Sequence, residues 1–135
     1  MKTKIVISTL IAAFVFASFI GCTLGPVEIE EIVVCKNVDD TYKPVEPMDT
    51  FPSGIQAIYI SVKINNITPE DKITTKLNYL ETEEEISTTD VTTDKSGSGY
   101  VCFNLTNDQG FQLGRYNVVV YLNNELIETV EFSVE

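Results

Sequence analysis

Apolar and polar residues alternate along most of the chain, and this period of two predicts β-strands. The clearest stretch is residues 58–64, where every second residue is a branched aliphatic. A strand with this pattern buries one face and turns the other to solvent. Six further stretches, separated by polar, Gly-rich or Pro-rich segments, are also interpreted as strands: residues 32–35, 74–80, 86–93, 100–105, 114–122 and 126–134. With no helical period after residue 21, these seven stretches predict an all-β fold, a single antiparallel β-sandwich of about seven strands.

The last two predicted strands form a hairpin around Asn123-Asn124, because Asn tolerates the positive φ that a two-residue turn requires. In an unbroken ladder this turn would leave the apolar residues of the two strands on opposite faces. The adjacent apolar pair Leu126-Ile127 suggests where one extra residue corrects the register. We therefore predict a β-bulge, or an equivalent three-residue loop, between residues 125 and 128, which brings Val118 near Val130.

Side chains that share one parity of their strands are predicted to form the core. These are Ile58, Ile60, Val62, Leu77, Val101, Phe103, Tyr116, Val118 and Val130. Between residues 39 and 52, three prolines exclude a helix or a central strand. This segment is expected to run extended along the edge of the sandwich, with Phe51 and Val45 turned inward.

The first residues have the pattern of an export signal. Two lysines precede an apolar run of 16 residues, 5–20. That is short for a membrane-spanning helix, which needs about 20 residues, but fits the apolar region of a signal peptide. The run ends at Phe19-Ile20-Gly21-Cys22, which resembles the lipobox of prokaryotic lipoproteins, although an aliphatic residue is usual where Phe19 stands.

The lipobox resemblance implies that a signal-peptide helix, residues 1–21, is removed and that Cys22 becomes an acylated N-terminus carrying a fatty acid such as palmitate. An ordinary cleaved signal peptide and an uncleaved anchor are the alternatives. The implied divisions are a signal peptide at 1–21, a short tether at 22–31 and the sandwich domain at 32–135. The protein is then expected to be lipid-anchored on the extracytoplasmic face of the cell membrane.

The charge balance narrows the range of partners. The whole chain has a formal net charge of −11; residues 1–21 contain two lysines and no acidic residue, so the 114 residues that remain carry −13. Such acidity disfavours nucleic acid and anionic lipid headgroups as partners. The membrane partner is therefore expected to be reached through the lipid anchor alone.

Residues 113–118, Leu-Gly-Arg-Tyr-Asn-Val, and the apolar strand after them resemble the end of immunoglobulin-like and fibronectin-like modules of secreted prokaryotic proteins. In those modules a Gly-x-Tyr begins the penultimate strand, and the Tyr hydroxyl bonds back to the upstream loop. The resemblance gives that role to Tyr116 and implies an immunoglobulin-like sandwich over roughly residues 32–135. The chain has no Trp, and Val118 stands where antibody domains have their second cysteine, so the inter-sheet bridge of antibody domains is missing.

Once Cys22 is acylated, Cys35 and Cys102 are the only pair left for a disulfide, in a compartment where one can form. Cys102 alternates with core positions and is expected to face outward. A bridge then requires Cys35 to lie on a neighbouring stretch of the same outer face, because disulfide geometry is narrow. The sequence leaves this candidate bridge open.

Candidate catalytic chemistry is sparse. The chain contains no His, which excludes imidazole bases and the commonest transition-metal ligand. The acidic runs Asp39-Asp40 and Glu83–Glu85 lack the spacing of a calcium loop and are expected to be solvated, although two acidic loops at one end of a sandwich could bind Ca²⁺ weakly. Gly97–Gly99 precedes a strand and not a helix, so it does not form a phosphate cradle. We therefore expect no catalytic residue, metal or cofactor, and no enzyme.

Two segments, Asn66-Ile67-Thr68 and Asn104-Leu105-Thr106, match the N-glycosylation pattern, which has meaning only in a host that glycosylates secreted proteins. The expected function is a non-catalytic binding or structural module at the cell surface, with a protein or glycan partner. The alternative is an accessory or ligand-binding lipoprotein subunit that serves a larger envelope enzyme or transporter complex.

Overall fold

The computed structural model describes residues 11–21 and 25–135. Within these ranges the chain forms strands and no helix, which confirms the all-β prediction. The strands are β1 (Ala12–Ile20), β2 (Glu28–Val38), β3 (Pro44–Pro47), β4 (Thr50–Phe51), β5 (Ala57–Ile67), β6 (Ile73–Tyr79), β7 (Glu84–Val91), β8 (Gly97–Thr106), β9 (Gly114–Leu122) and β10 (Glu125–Val134). Each of the seven predicted strands is present, and β1, β3 and β4 are additional.

The strands form two five-stranded sheets. Sheet A has the order β1-β8-β5-β2-β3, and sheet B has the order β4-β10-β9-β6-β7. Neighbouring strands are antiparallel except β4, which runs parallel to β10. The sheets pack face to face over a core of Ile, Val, Leu, Phe and Tyr side chains contributed by both. This two-layer arrangement is a β-sandwich.

The predicted core parity is confirmed. All nine predicted side chains are buried except Val130, which is half-buried against the core. Phe51 is also buried as expected, at 1% exposure. The inward placement of Val45 is wrong: it pairs with the exposed Asn37 at the edge of sheet A and is itself exposed. The segment turns from sheet A to sheet B only after β3, and that crossing is what carries Phe51 into the core.

The closing hairpin has the predicted bulge. Asn123 and Asn124 both have positive φ, 53° and 70°, as the two-residue turn requires. The register shifts between Leu126 and Glu128, and beyond the shift Val130 pairs with Val118. The extra residue, Ile127, restores agreement between the apolar faces of β9 and β10.

Residues 12–20, which we call the leader segment after the predicted signal peptide, depart from the predicted signal-peptide helix. Ala12–Ile20 is a strand that pairs antiparallel with β8 over nine residues. The physical reason is that β8 would otherwise be an unpaired sheet edge, and an apolar segment rich in Phe satisfies that edge as a strand. No helix in the described ranges is long and apolar enough to span a membrane.

The first strand of the domain begins earlier than expected. β2 starts at Glu28 and not at Ile32, because Glu28 and Ile29 continue the ladder with β5 through a register shift before Glu31. The predicted tether therefore contributes its last residues to the sheet. Cys22, the predicted lipidation site, lies outside the described residues.

Candidate functional site

The two ends of the sandwich differ in what they can contact. The link from β1 to β2 lies at one end, where Pro26 O accepts a 3.1 Å hydrogen bond from Asn66 Nδ2. We call this the anchor end, after the lipidation predicted at Cys22; it also contains residues 68–72, 92–96 and the 123–124 turn. The distal end is formed by residues 39–43, 52–56, 80–83 and 107–113.

Two distal loops, residues 52–56 and 107–113, are joined by backbone hydrogen bonds. Asn107 N donates to Gln56 O at 2.9 Å, and Phe111 N donates to Ile55 O at 2.9 Å. Gly54 and Gly110 both have φ of 87°, and a Cβ built on Gly110 would lie 3.3 Å from Gly54 Cα. The loops therefore hold each other closely, and glycine is required where they touch.

Between these loops lies an open groove of about 370 Å³, which we call the distal groove. It is lined by Ser53, Gly54, Asn107, Gln109, Gly110, Phe111, Gln112 and Leu113. None of these side chains is charged. Amide and hydroxyl groups beside one exposed Leu suit an uncharged polar ligand, such as peptide backbone or sugar hydroxyls.

Two buttressing tyrosines fix the rim of the groove. Tyr116 Oη donates to Gln112 O at 2.7 Å, which is the upstream bond that the resemblance implied, and Tyr79 Oη donates to Leu113 O. The two rings lie 4.9 Å apart. Burial raises the pKa of Tyr116 well above its usual range, and burial with the nearby Glu81 carboxylate raises the pKa of Tyr79. Both phenols therefore stay protonated and keep donating at ordinary pH.

Leu113 stands out from this rigid support with 58% of its surface exposed. Beside it, Arg115 Nε and Glu81 Oε2 form an exposed ion pair at 3.2 Å. Loop residues held by a rigid scaffold are where binding side chains are usually found. The distal groove with Leu113 is therefore a candidate binding surface.

The acidic runs are satisfied locally. Asp39 Oδ1 accepts bonds from Thr41 N, Thr41 Oγ1 and Lys43 N at 2.9–3.0 Å, and these bonds lower the pKa of Asp39. Glu84 and Glu85 accept from Thr82 and Thr88 on the same stretch. No group of three or more potential metal ligands occurs in the described part of the chain.

The candidate bridge between Cys35 and Cys102 is not formed, and both thiols are free and buried. Cys35 pairs with Tyr59 and Cys102 pairs with Ser61, so β5 lies between them. Two strand spacings are about 9.5 Å, whereas a disulfide needs Cα atoms within about 7 Å. The strand order, which the sequence did not reveal, therefore separates the two cysteines of the bridge that the sequence left open.

Cys102 faces outward as predicted, yet it is covered. Its neighbour on β1 is Phe16, whose ring stacks on Tyr42 at 5.9 Å, and Tyr42 O accepts a 2.8 Å bond from Ser61 Oγ. Burial raises the pKa of Cys35, and it raises the pKa of Cys102 to about 12. Neither thiol is poised as a nucleophile.

The two asparagines of the glycosylation pattern have different surroundings. Asn66 lies at the anchor end with positive φ and binds Pro26 O. Asn104 lies in β8 between Tyr59 and Phe14, and its Oδ1 is buried without a hydrogen-bond partner. At either residue the pattern has meaning only in a host that glycosylates secreted proteins.

No family model and no curated protein matches this chain. Among solved structures, it is similar to the alkylpurine DNA glycosylase of Pseudomonas fluorescens bound to DNA containing an abasic site analog. The TM-score is 0.50 at 16% identity, over 81% of this chain and 30% of the glycosylase chain. It also matches the CARDB domain of a Pyrococcus furiosus protein in complex with di-metal ions, with a TM-score of 0.40 at 18% identity, over 79% of this chain and 94% of that one.

The expectation that the chain is not an enzyme is contradicted by the first of these matches, because the protein that contains the similar region is a DNA glycosylase. At 16% identity the likeness concerns the fold alone. It assigns no substrate to this chain.

Sequence reasoning missed the distal groove. The sequence features that mark it are Gly54 and the Asn107–Gly110 turn, and each of these indicates only a loop. That the two loops meet is decided by the strands they connect, which are far apart in sequence.

Proposed function

We propose that this chain is a lipoprotein, acylated at Cys22, whose immunoglobulin-like sandwich is a binding module on the extracytoplasmic face of the membrane. The observation that carries the proposal is Gly21-Cys22 at the end of the 16-residue apolar run, with β2 beginning only six residues later at Glu28. Six residues reach at most about 20 Å. The anchor end would therefore lie close to the bilayer, and the distal end would point away from it.

The distal groove is the proposed contact surface. Its uncharged lining and the exposed Leu113 favour a partner that presents peptide or sugar groups rather than a charged ligand. The net charge of −13 after removal of residues 1–21 supports membrane contact through the lipid only, since anionic headgroups repel an acidic domain.

The anchor is tested by replacing Cys22 with Ser and fractionating the cells. The wild-type protein should sediment with membranes, and the Cys22→Ser protein should not be lipidated and should leave the membrane fraction. A Cys22→Ser protein that remains fully membrane-bound would contradict the proposal.

The contact surface is tested by capturing partners from detergent-solubilised envelopes with two matched variants. Leu113 and Leu126 are each 58% exposed, but Leu113 lies at the distal groove and Leu126 at the start of β10 at the anchor end. Leu113→Asp should lose the captured partner, whereas Leu126→Asp should keep it. Equal behaviour of the two variants would show that the distal groove is not the contact surface.

A further inference from the structure

This inference rests on the proposed function, in which residues 1–21 are removed. Strand β8 would then lose β1, its neighbour at the edge of sheet A. β1 pairs with β8 from Ala12–Thr106 to Ile20–Ser98 and turns Ala13, Val15 and Phe19 toward the core. All of β1 lies within residues 1–21. Removal of the signal peptide would therefore leave β8 as an unpaired sheet edge nine residues long.

The leader strand fits this edge imperfectly. Asn104 Oδ1 is buried without a partner, and the residue paired with Asn104 is Phe14, which can offer no hydrogen bond. On the same outer side, Phe14, Phe16 and Ile20 are 52%, 43% and 77% exposed. An unsatisfied buried carbonyl oxygen and a row of exposed apolar side chains both oppose this pairing. The edge is better suited to another strand.

Two features of the edge define what such a strand must be. A Cβ on Gly99 would lie 1.8 Å from Ser18 O, so the incoming backbone occupies the space that glycine leaves. On the core side, a crevice of about 620 Å³ opens between β1 and the end of β7, with Val15, Ala17 and Phe19 along one wall. The strand must therefore place apolar side chains at alternate positions to close the sandwich.

We propose that the mature domain accepts an extended antiparallel strand from a partner polypeptide at the β8 edge, in the place that β1 occupies before processing. This strand carries apolar residues at the positions of Val15 and Phe19 and a hydrogen-bond donor, such as Asn or Thr, at the position of Phe14. The donor satisfies Asn104 Oδ1. Main-chain pairing supplies affinity and the alternate side chains supply specificity.

A second copy of this chain is a poorer occupant. The longest edge that it would offer is its own β8, whose core-facing Val101, Phe103 and Leu105 are already buried in their own sandwich. They cannot also fill the crevice beside β7. An independent strand, with nothing packed on its inner face, can do so.

The test uses the predicted mature chain, residues 22–135 with Cys22→Ser. The probes are a peptide of residues 11–21 with lysines added at its ends for solubility, and the same peptide with Phe14→Asn. Both should bind saturably, and the Asn peptide should bind about fivefold more tightly through one added hydrogen bond.

The matched domain variants are Gly99→Ala and Gly25→Ala. The methyl group that Gly99→Ala adds would collide with the incoming backbone, whereas a Cβ on Gly25 meets only Asn66 Nδ2 at an ordinary 3.6 Å. Gly99→Ala should weaken peptide binding by about tenfold or more, since a strand that is displaced loses ladder hydrogen bonds. Gly25→Ala should bind like the unaltered domain.

The proposal would be overturned if neither peptide binds or if the peptides bind Gly99→Ala as tightly as the unaltered domain. It would also be overturned if the domain forms a stable dimer that excludes the peptides, or if residues 22–135 fail to fold. The N-terminus of the membrane-bound protein separates the two proposals. A form that begins at Cys22 but binds no strand leaves the lipoprotein proposal standing and rejects strand addition. A form that retains residues 12–20 rejects both.

Discussion

The closing hairpin and the leader strand are both apolar strands rich in Val or Phe, and their surroundings differ sharply. In β9–β10, Val118, Phe132 and Tyr116 are buried, and the bulge at Ile127 keeps their faces aligned. In β1, Phe14 and Phe16 point outward and are 52% and 43% exposed. Hydrophobicity alone therefore does not decide whether a strand belongs to the core.

The difference lies in how each strand is positioned. The hairpin is closed by its own two-residue turn and is covered by β6 and sheet A. β1 pairs with β8, which is distant from it in sequence, and it lies against this single strand at the sheet edge. A strand with one neighbour and one open side contributes less to the fold than a strand with two.

The largest contrast is expected from two Phe→Ala substitutions. Phe132 is 2% exposed and stacks on Tyr116 at 5.0 Å, so Phe132→Ala should lower the free energy of unfolding by about 3–5 kcal/mol. Phe14→Ala in the full chain should change it by about 0.5 kcal/mol or less. Denaturant unfolding of both variants measures this, and comparable losses would show that the Phe14 side chain is packed as tightly as that of Phe132.

Tyr116→Phe should cost about 1–2 kcal/mol at neutral pH, because Gln112 O loses its donor. The pKa of Tyr116 is raised in the folded state, so folding favours the neutral phenol. That stabilisation is complete below the unfolded pKa of about 10 and is lost as pH rises toward the folded pKa. Wild-type stability should therefore fall above about pH 10, and Tyr116→Phe should reduce that fall. Tyr121→Phe, on the outer side of the same strand, is the matched control for the loss of a phenol hydroxyl.

The bulge predicts which deletion the hairpin tolerates. Without Ile127, Glu128 still pairs with Val120 in an unbroken ladder, and Ile127 is already 40% exposed. Its deletion should cost about 1 kcal/mol or less. Val119 lies in the central strand β9, where no bulge can compensate for a missing residue. Its deletion should abolish the cooperative unfolding transition. Similar thermal melts for the two deletions would contradict this account of the register.

The smallest effect concerns the thiols. In a Cys22→Ser background, denaturation without reductant should release two titratable thiols, because Cys35 and Cys102 are not bridged.

In the native full chain, alkylation at pH 8 should be slow at both sites. Removal of residues 1–21 should speed the alkylation of Cys102, because Cys102 lies beside Phe16 of β1. It should not speed the alkylation of Cys35, because Cys35 lies beside Pro47 of β3. Equal rates before and after removal would show that β1 does not cover Cys102.

The sequence determined the strands whose signals are local. Alternation placed the side chains of residues 58–64 in the core, and Asn123-Asn124 with the Leu126-Ile127 pair predicted the hairpin, its bulge and the facing of Val130 toward Val118. These succeed because a strand's period and a turn's φ preferences act over a few residues.

The tertiary structure decided what depends on strand order. It separated Cys35 from Cys102 by β5, brought residues 52–56 against residues 107–113 to form the distal groove, and turned Val45 outward at a sheet edge. It also made residues 12–20 a strand, because the edge of β8 offers them backbone hydrogen bonds. No property of residues 12–20 predicts that pairing. Pairing between distant segments is a property of the assembled sheets, and a sequence read locally does not contain it.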